Sequence, residues 1–211
     1  MILNRKFYQR DTLKIAKELL GCILVRKIGN KVIRGVITET EAYKGKDDLA
    51  SHASRGRTPR TELMFGEAGH AYVYMIYGMY FMLNIVTEKK DYPAAVLIRS
   101  VEASIEASKI LNGPGKICRE LKIGEELNGW DITQGKKLWI EKGIKISSKD
   151  IKKAKRVGVD YAKHCKDYLW RFTITGFNFS FRKKSYKRTL RPVCKTTNLD
   201  SLTKTSQLAK R

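Results

Sequence analysis

The sequence has few of the residues that build metal centres and disulfide frameworks. Its 211 residues include only four cysteines and three histidines, and no two cysteines form a C-x-x-C pair. No apolar run approaches the roughly 20 residues that a membrane span needs, and charged residues interrupt the N-terminus where a signal peptide would be apolar. We therefore expect a soluble, intracellular protein with no metal and with reduced thiols.

Nucleotide-binding fingerprints are also missing. The run Gly113-Pro114-Gly115-Lys116 could hold a phosphate where a helix begins, but the remainder of a P-loop is absent and no dinucleotide-binding glycine pattern occurs. No Ser-His-Asp arrangement can be assembled with conviction. We therefore do not expect a nucleoside triphosphate or dinucleotide site.

Acidic residues are scarce beside basic ones. The 43 lysines and arginines against 21 aspartates and glutamates give a formal net charge of +22. Because Lys and Arg neutralise phosphates, this balance predicts a nucleic-acid partner. A lysine-rich background composition and a ribosome-associated protein are the alternatives.

The periodicity of the chain predicts an α+β fold, with antiparallel hairpins and a few helices. Asp11 is a suitable N-cap for the first helix. The segment 94–101 is nearly all apolar and is expected in the middle of a sheet, whereas the polar stretch 44–69 is expected to be a long functional loop. Strands are predicted at 22–28, 31–43, 71–77, 81–86, 94–101, 137–142 and 170–176, and helices at 12–20, 103–111 and 116–121.

The composition changes near the C-terminus and predicts two regions. Residues 1–181 are expected to form one compact domain. Residues 182–211 are rich in Lys, Arg, Ser and Thr, with Asp200 as their only acid. This second region is predicted to be a basic, poorly ordered tail.

Two carboxylates, Glu39 and Glu41, stand two residues apart on a predicted strand. Because strand side chains alternate between faces, both should point to the same side. One of them could activate a water as a general base, with the aromatic Tyr43 and the loop residue His52 nearby. The alternative makes both glutamates ordinary solvent-facing strand residues.

An aromatic hairpin is the more specific signal. Tyr72 and Tyr74 share one face of a predicted strand, and Tyr77 stands at the turn beside Gly78. Aromatic strands are most often core. A Tyr at a turn tip is hard to bury, however, and could wedge into a duplex and unstack a base step, as enzymes that extrude a base require.

These segments together resemble the alkyladenine (3-methyladenine) DNA glycosylases. The resemblance runs in register from about residue 7 to residue 181, and its most specific part combines Glu-Thr-Glu-Ala-Tyr with the Tyr-Gly-Met-Tyr hairpin. The matching stretches are 38–43, the loop around His52, 72–84, 96–99, 113–116 and 156–159. The resemblance implies a single α+β domain around a curved antiparallel sheet, with a protruding aromatic β-hairpin and with neither metal nor cofactor.

The resemblance also implies catalytic and DNA-contacting roles. Glu41, rather than Glu39, matches the water-activating base of the family. Arg99 matches a residue that orients that carboxylate and the water. Tyr77 matches the side chain that is inserted through the minor groove where the damaged base leaves the stack.

Four further residues match a pocket for the extruded base. Tyr43 and His52 match residues on one face of the base, and Tyr74 matches a residue on the other. His52 also matches a hydrogen-bonding contact to the base edge. Asn84 matches a pocket-floor residue that disfavours the exocyclic amine of normal guanine.

The expectation is a monomeric, monofunctional glycosylase that binds double-stranded DNA and no membrane. It would flip out 3-methyladenine or 7-methylguanine, with hypoxanthine and ethenoadenine as further candidates, and hydrolyse the N-glycosidic bond. It would work wherever the cell keeps its DNA, in a bacterial nucleoid or a nucleus. The alternatives are a non-catalytic RNA- or ribosome-binding protein and an RNA-modifying enzyme.

Overall fold

The computed structural model describes residues 1–104, 109–182 and 185–190. The main sheet has nine strands, and every pairing in it is antiparallel. The strands are β1 (Ile23–Ile28), β2 (Lys31–Lys44), β3 (Ala71–Ile76), β4 (Tyr80–Val86), β5 (Ala94–Ala103), β6 (Lys109–Asn112), β7 (Leu138–Glu141), β8 (Ile151–Ala154) and β9 (Arg171–Ile174). The α+β class and the antiparallel sheet agree with the prediction.

Strand β2 is the centre of this sheet. The order is β3-β4-β5-β2-β1-β7, with β6 beside β5, β9 also pairing with β2, and β8 beyond β9. The register of β2 against β5 shifts on both sides of Glu39, as it does at a β-bulge. Strand β5 lies inside the sheet, as its apolar sequence predicts.

The described residues also form three short α-helices, namely α1 (Arg5–Tyr8), α2 (Thr12–Glu18) and α3 (Pro114–Glu120), and six short 3-10 helices, the first of which is His52–Arg55. The predicted cap of α2 is confirmed, because the Asp11 carboxylate accepts a hydrogen bond from the Lys14 N–H at 2.9 Å. The buried Thr40 hydroxyl donates to the Ala16 carbonyl at 2.7 Å and ties β2 to this helix. Thr40 and Ala42 therefore face the core, and the alternate residues of β2 face the other side.

The helix predicted at 103–111 is wrong. Lys109–Asn112 is instead strand β6, which pairs with the end of β5 so that Leu111 lies opposite Val101. Leu111 is buried while its neighbours are exposed, so pairing with a neighbouring strand overrides the local helical preference. Residues 105–108 lie outside the described residues. Strand β8, with two lysines in four residues, was not predicted because it lacks an apolar pattern.

A separate two-stranded sheet pairs β10 (Phe177–Arg182) with β11 (Ser185–Leu190). The first part of the predicted tail thus contains a strand, and residues 191–211 lie outside the described residues. The domain boundary at residue 181 stays a prediction. Within the described part of the chain, no helix is long and apolar enough to cross a membrane.

Candidate active site

The carboxylate of Glu41 is buried in β2 and held by three donors. Its Oε1 accepts a hydrogen bond from the Val157 N–H at 2.8 Å. Its Oε2 accepts from the Tyr43 hydroxyl at 2.9 Å and from Arg99 Nη1 at 3.3 Å. Burial raises the pKa of Glu41 above its usual 4.5, although Arg99, Val157 and Tyr43 oppose the rise. The group is a fixed carboxylate of increased basicity.

The second carboxylate, that of Glu39, has a different environment. Its Oε1 lies 3.1 Å from Arg171 Nη1 and 3.7 Å from Arg99 Nε. Both glutamates therefore reach the guanidinium of Arg99, which agrees with their predicted placement on one face of the strand. Glu39 pairs with a second arginine, whereas Glu41 receives its other hydrogen bonds from an uncharged hydroxyl and a backbone amide.

A small pocket that is partly open to solvent lies next to this carboxylate. Tyr43 lines the pocket while its hydroxyl contacts Glu41, so one side chain joins the two. All four residues predicted to bind the extruded base line this pocket. They come from different parts of the chain: Tyr43 from β2, His52 from the segment before β3, Tyr74 from β3 and Asn84 from β4. The complete lining is Tyr43, Ala50, Ser51, His52, Met64, Tyr72, Tyr74, Asn84 and Ala95.

The imidazole of His52 forms one side of the pocket together with two tyrosines. Its ring centroid lies 4.6 Å from that of Tyr74 at an interplanar angle of 70°, and its Nδ1 lies 3.0 Å from the Tyr72 hydroxyl. Burial, followed by the nearby charges of Arg60 and Arg55, lowers the pKa of His52 to about 4. At neutral pH the ring is uncharged and offers one donor and one acceptor.

Asn84 lies on β4 opposite Tyr72 and is 3% exposed. Its Nδ2 donates to the carbonyls of Tyr72 at 3.3 Å and Met82 at 3.4 Å. These bonds fix the amide in the wall of the pocket. A fixed polar group in such a position can accept or exclude a substituent on a planar ligand.

Tyr77 does not join the pocket. It stands in the turn between β3 and β4 with φ of 51° and is 85% exposed. The left-handed conformation costs a residue with a side chain roughly 1–2 kcal/mol, and Gly78 follows with φ of 68°. The hairpin thus presents a solvent-exposed aromatic side chain, that of Tyr77, at its tip. Met79 and Tyr80 beside it are also exposed.

Sequence reasoning missed two contributors to this site, Val157 and Arg156. Val157 acts through its backbone N–H, so no side-chain pattern could identify it. Arg156 is buried and forms an ion pair with Asp48. The only available signal was that 156–159 belongs to the stretches that carry the resemblance, which assigned these residues no role.

Among residues 1–104, 109–182 and 185–190, no group of three His, Cys, Asp or Glu side chains could hold a metal ion. Cys22, Cys118 and Cys165 are buried free thiols. Cys194, the fourth cysteine, lies outside the described residues. The polar side chains that line the pocket are those of Tyr43, Ser51, His52, Tyr72, Tyr74 and Asn84.

The chain matches known proteins over most of its length. A family model described as methylpurine-DNA glycosylase matches residues 6–178. A relative from Clostridium acetobutylicum, named "Putative 3-methyladenine DNA glycosylase", is 44% identical over 83% of this chain and 95% of its own length. Relatives of the same name from Methanocella arvoryzae and Sodalis glossinidius are 46% and 48% identical, each over 81% of this chain, and are covered to 91% and 95%.

An antiparallel sheet that holds a buried carboxylate beside an aromatic pocket is compatible with a hydrolase that acts on a planar base. The match to the family model and to the relatives covers most of the chain and identifies the family. This chain belongs to the methylpurine-DNA glycosylase family and is a DNA glycosylase, a hydrolase that acts in DNA repair. The resemblance seen in the sequence is confirmed, and a non-catalytic RNA- or ribosome-binding protein is excluded.

Proposed function

We propose that this glycosylase turns an alkylated purine out of duplex DNA into the pocket and hydrolyses its N-glycosidic bond with a water activated by Glu41. One observation carries the proposal: a buried, three-times hydrogen-bonded carboxylate shares Tyr43 with an aromatic pocket. A carboxylate has about four acceptor sites. The described residues fill three of them, and we propose that the attacking water occupies the fourth.

The chemistry follows from that water. Glu41 takes a proton from it, and the oxygen forms a bond to C1′ of the deoxyribose. The bond between C1′ and the purine nitrogen breaks, and its electron pair leaves with the base. The transition state has oxocarbenium character, and the carboxylate stabilises its positive charge. The products are a free base and an abasic site.

The charge of the lesion decides whether a second acid is needed. A purine alkylated at N3 or N7 is cationic and leaves as a neutral base without being protonated. His52 lines the pocket, but its pKa is lowered to about 4, so it does not supply a proton at neutral pH. This favours 3-methyladenine and 7-methylguanine over the neutral lesions hypoxanthine and ethenoadenine.

The pocket residues have separate roles in this proposal. The rings of Tyr43, His52 and Tyr74 enclose the faces of the flipped base, and aromatic faces attract a cationic partner. Neutral His52 hydrogen-bonds the base edge. Asn84 occupies the space that the exocyclic amine of normal guanine would need. Arg99 holds Glu41 in its orientation.

Tyr77 is proposed to fill the space that the base leaves in the duplex. Its exposure and its position at the tip of the β3–β4 hairpin support this role. The same hairpin carries Tyr74 and Asn84, so the inserted side chain and two pocket residues belong to one β-hairpin. We propose that the enzyme acts as a monomer on double-stranded DNA that contains alkylated bases, inside the cell.

Glu41→Gln tests the central claim. Single-turnover release of 7-methylguanine should fall by about 10²–10⁴-fold, which is the usual contribution of a general base. Binding to the lesion duplex should change little, because the side chain keeps its shape. Glu39→Gln is the matched control, since it alters the other carboxylate that faces Arg99, and it should keep most of the activity.

The two variants separate the possible outcomes. Near-normal release by Glu41→Gln, with Glu39→Gln inactive, would show that Glu39 and not Glu41 is the general base. The same protein offered the lesion in RNA and in DNA distinguishes the RNA-modifying alternative, because only a DNA glycosylase prefers the deoxyribose substrate.

A further inference from the structure

Arg156 is a second cation buried beside the proposed site, and it has no hydrogen bond to Glu41. Its side chain is 0% exposed, as is that of Asp48. The two guanidinium nitrogens bind the two carboxylate oxygens of Asp48 at 2.5 and 2.7 Å. A bidentate pair of this kind has a fixed orientation as well as a strong interaction.

The other contacts of Arg156 reach the strand that carries the site. Its Nη1 donates to the carbonyl of Ala42 at 2.9 Å, and Ala42 stands between Glu41 and Tyr43. Its guanidinium carbon lies 4.8 Å from the centroid of the Tyr43 ring and 5.1 Å from that of Trp170. The arginine therefore supports the ring that lines the pocket and the backbone beside the carboxylate.

The residue that follows Arg156 supplies a donor to the carboxylate. Val157 donates its N–H to Glu41 at 2.8 Å, while its side chain is 48% exposed and contributes little anchoring. A third contact, from Arg156 Nη2 to the Cys165 carbonyl at 3.1 Å, ties the same loop to the segment beyond it. Arg156 is thus the buried anchor of the loop that carries this donor.

We infer that Arg156, oriented by Asp48, is a positioning residue of the reaction, which sets the Val157 N–H against Glu41 and holds the Tyr43 ring in the pocket wall. The inference rests on the proposed function, since it requires Glu41 to be the base. Buried ion pairs are weak evidence for stability, because desolvation offsets most of their attraction. A role in positioning Val157 and Tyr43 explains why the ion pair of Arg156 and Asp48 is buried at this place.

Arg26 provides a structural comparison within the same chain. It is also buried, and its guanidinium binds backbone carbonyls of Leu121 and Lys122 at 3.2 and 2.9 Å. It stands on β1, and none of its hydrogen-bond partners lines the pocket or binds Glu41. If Arg156 only supported the fold, its replacement should resemble that of Arg26 in every assay.

The test compares Arg156→Met with Arg26→Met in single-turnover release of 7-methylguanine at saturating enzyme. Arg156→Met should lose about 10- to 100-fold in rate, as a misplaced catalytic group does, and should lose less in lesion-duplex binding, through the displaced Tyr43 ring, than it loses in rate. Arg26→Met should keep its rate within about threefold at a temperature where both variants are folded. Arg156→Lys, which keeps the charge without the bidentate geometry, should lie between wild type and Arg156→Met.

The pH profile gives a readout that a purely structural role would not move. Arg156 also interacts electrostatically with Glu41, so the pH comparison uses Arg156→Lys, which keeps the positive charge. Loss of the Val157 donor raises the pKa of Glu41 further, so the acid limb of the rate should shift to higher pH in Arg156→Lys and stay in place in Arg26→Met. The other groups near Glu41 are unchanged in both variants: Glu39 and Tyr43 on β2, Tyr74 on β3, Arg99 on β5 and Arg171 on β9.

Equal rate losses in the two methionine variants, or an unmoved acid limb, would overturn the inference. If Arg156→Met does not fold, Asp48→Asn takes its place, because it keeps the arginine and weakens the bidentate pair. Glu41→Gln is measured in parallel. An active Glu41→Gln refutes the proposed function, whereas an inactive one beside an unaffected Arg156→Met refutes only the positioning role.

Discussion

Two regions of the molecule have opposite character. The polar centre comprises Glu39, Glu41, Arg99 and Arg156, of which only Arg99 is partly exposed. Each of these side chains is held by ion pairs or hydrogen bonds to other described residues. The hairpin tip, residues 76–80, is exposed and contains a tyrosine in the left-handed conformation. One region keeps its geometry through many internal contacts, and the other presents side chains that have few.

The difference matches what each region is proposed to do. A general base gains from an orientation that is fixed before the substrate arrives, since reorganisation during the reaction would cost rate. A side chain that enters DNA finds its partners only in the complex, so it must be exposed beforehand. Strain at such a site persists where function requires it.

The first way to test the polar centre is through pH. Because burial raises the pKa of Glu41 above 4.5, and because the ionised form is required, the release rate should rise with pH through a midpoint above 4.5. Each pH unit below that midpoint should cost about tenfold. Single-turnover release of 7-methylguanine from about pH 4 upward measures it.

His52 sharpens the same experiment. With a pKa of about 4, His52 stays neutral over the pH range in which Glu41 ionises. The plot of release rate against pH should therefore show no second transition above about pH 5. Protonation below its pKa would place a positive charge against a cationic base and steepen the loss there. A second limb near neutrality that disappears in His52→Asn would contradict the neutral-histidine assignment.

The hairpin tip is tested by two substitutions of Tyr77. Tyr77→Ser should weaken lesion-duplex binding by about 5- to 140-fold, since stacking by one aromatic contributes roughly 1–3 kcal/mol. Tyr77→Gly should show the same loss but unfold at an equal or higher temperature, because glycine adopts φ of 51° without strain. Binding and thermal unfolding are measured on each protein.

Single-stranded substrate supplies the control for that experiment. It has no stack to fill, so both variants should bind it nearly as well as wild type. Equal losses on single and double strands would make Tyr77 a pocket or folding residue. Lower thermal stability in Tyr77→Gly would show that the tip is held by contacts the exposed side chain does not reveal.

Asn84 lies between the two regions, buried like the centre but on the hairpin. Asn84→Ser should enlarge the pocket and reduce discrimination against normal guanine by about tenfold, as expected for the loss of one well-placed group. The measurement is release of undamaged guanine beside release of 3-methyladenine. An unchanged ratio of guanine release to 3-methyladenine release would show that Asn84 does not determine specificity.

Much of this arrangement could be predicted from sequence. Alternation placed Glu39 and Glu41 on one face, and the apolar run of β5 placed that strand inside the sheet. What alternation could not decide is which glutamate acts, since their difference lies in burial and donors from distant segments. The resemblance to a family selected Glu41, and the environment that the fold gives Glu41 is consistent with that choice.

Other features depend on contacts that no local pattern encodes. Asp48 and Arg156 are 108 residues apart in sequence, and the Val157 donor is a backbone group. Strand β6 was mistaken for helix because its pairing with β5 outweighs the propensity of its sequence. These elements are fixed by tertiary structure and become visible only when the chain is folded.

The smallest expected effect concerns residues 191–211. They contain Arg191, Lys195, Lys204, Lys210 and Arg211 but one acid, Asp200, and we expect them to add DNA affinity without joining the site. Truncation after Leu190 keeps the β10–β11 pair. It should weaken binding at low salt and make the slope of log affinity against log salt shallower by roughly 0.9 for each phosphate that the shortened protein no longer neutralises. Release at saturating enzyme should hardly change, because the polar centre and the hairpin are intact. Loss of release at saturation, or unfolding of the truncated protein, would instead make these residues part of the domain.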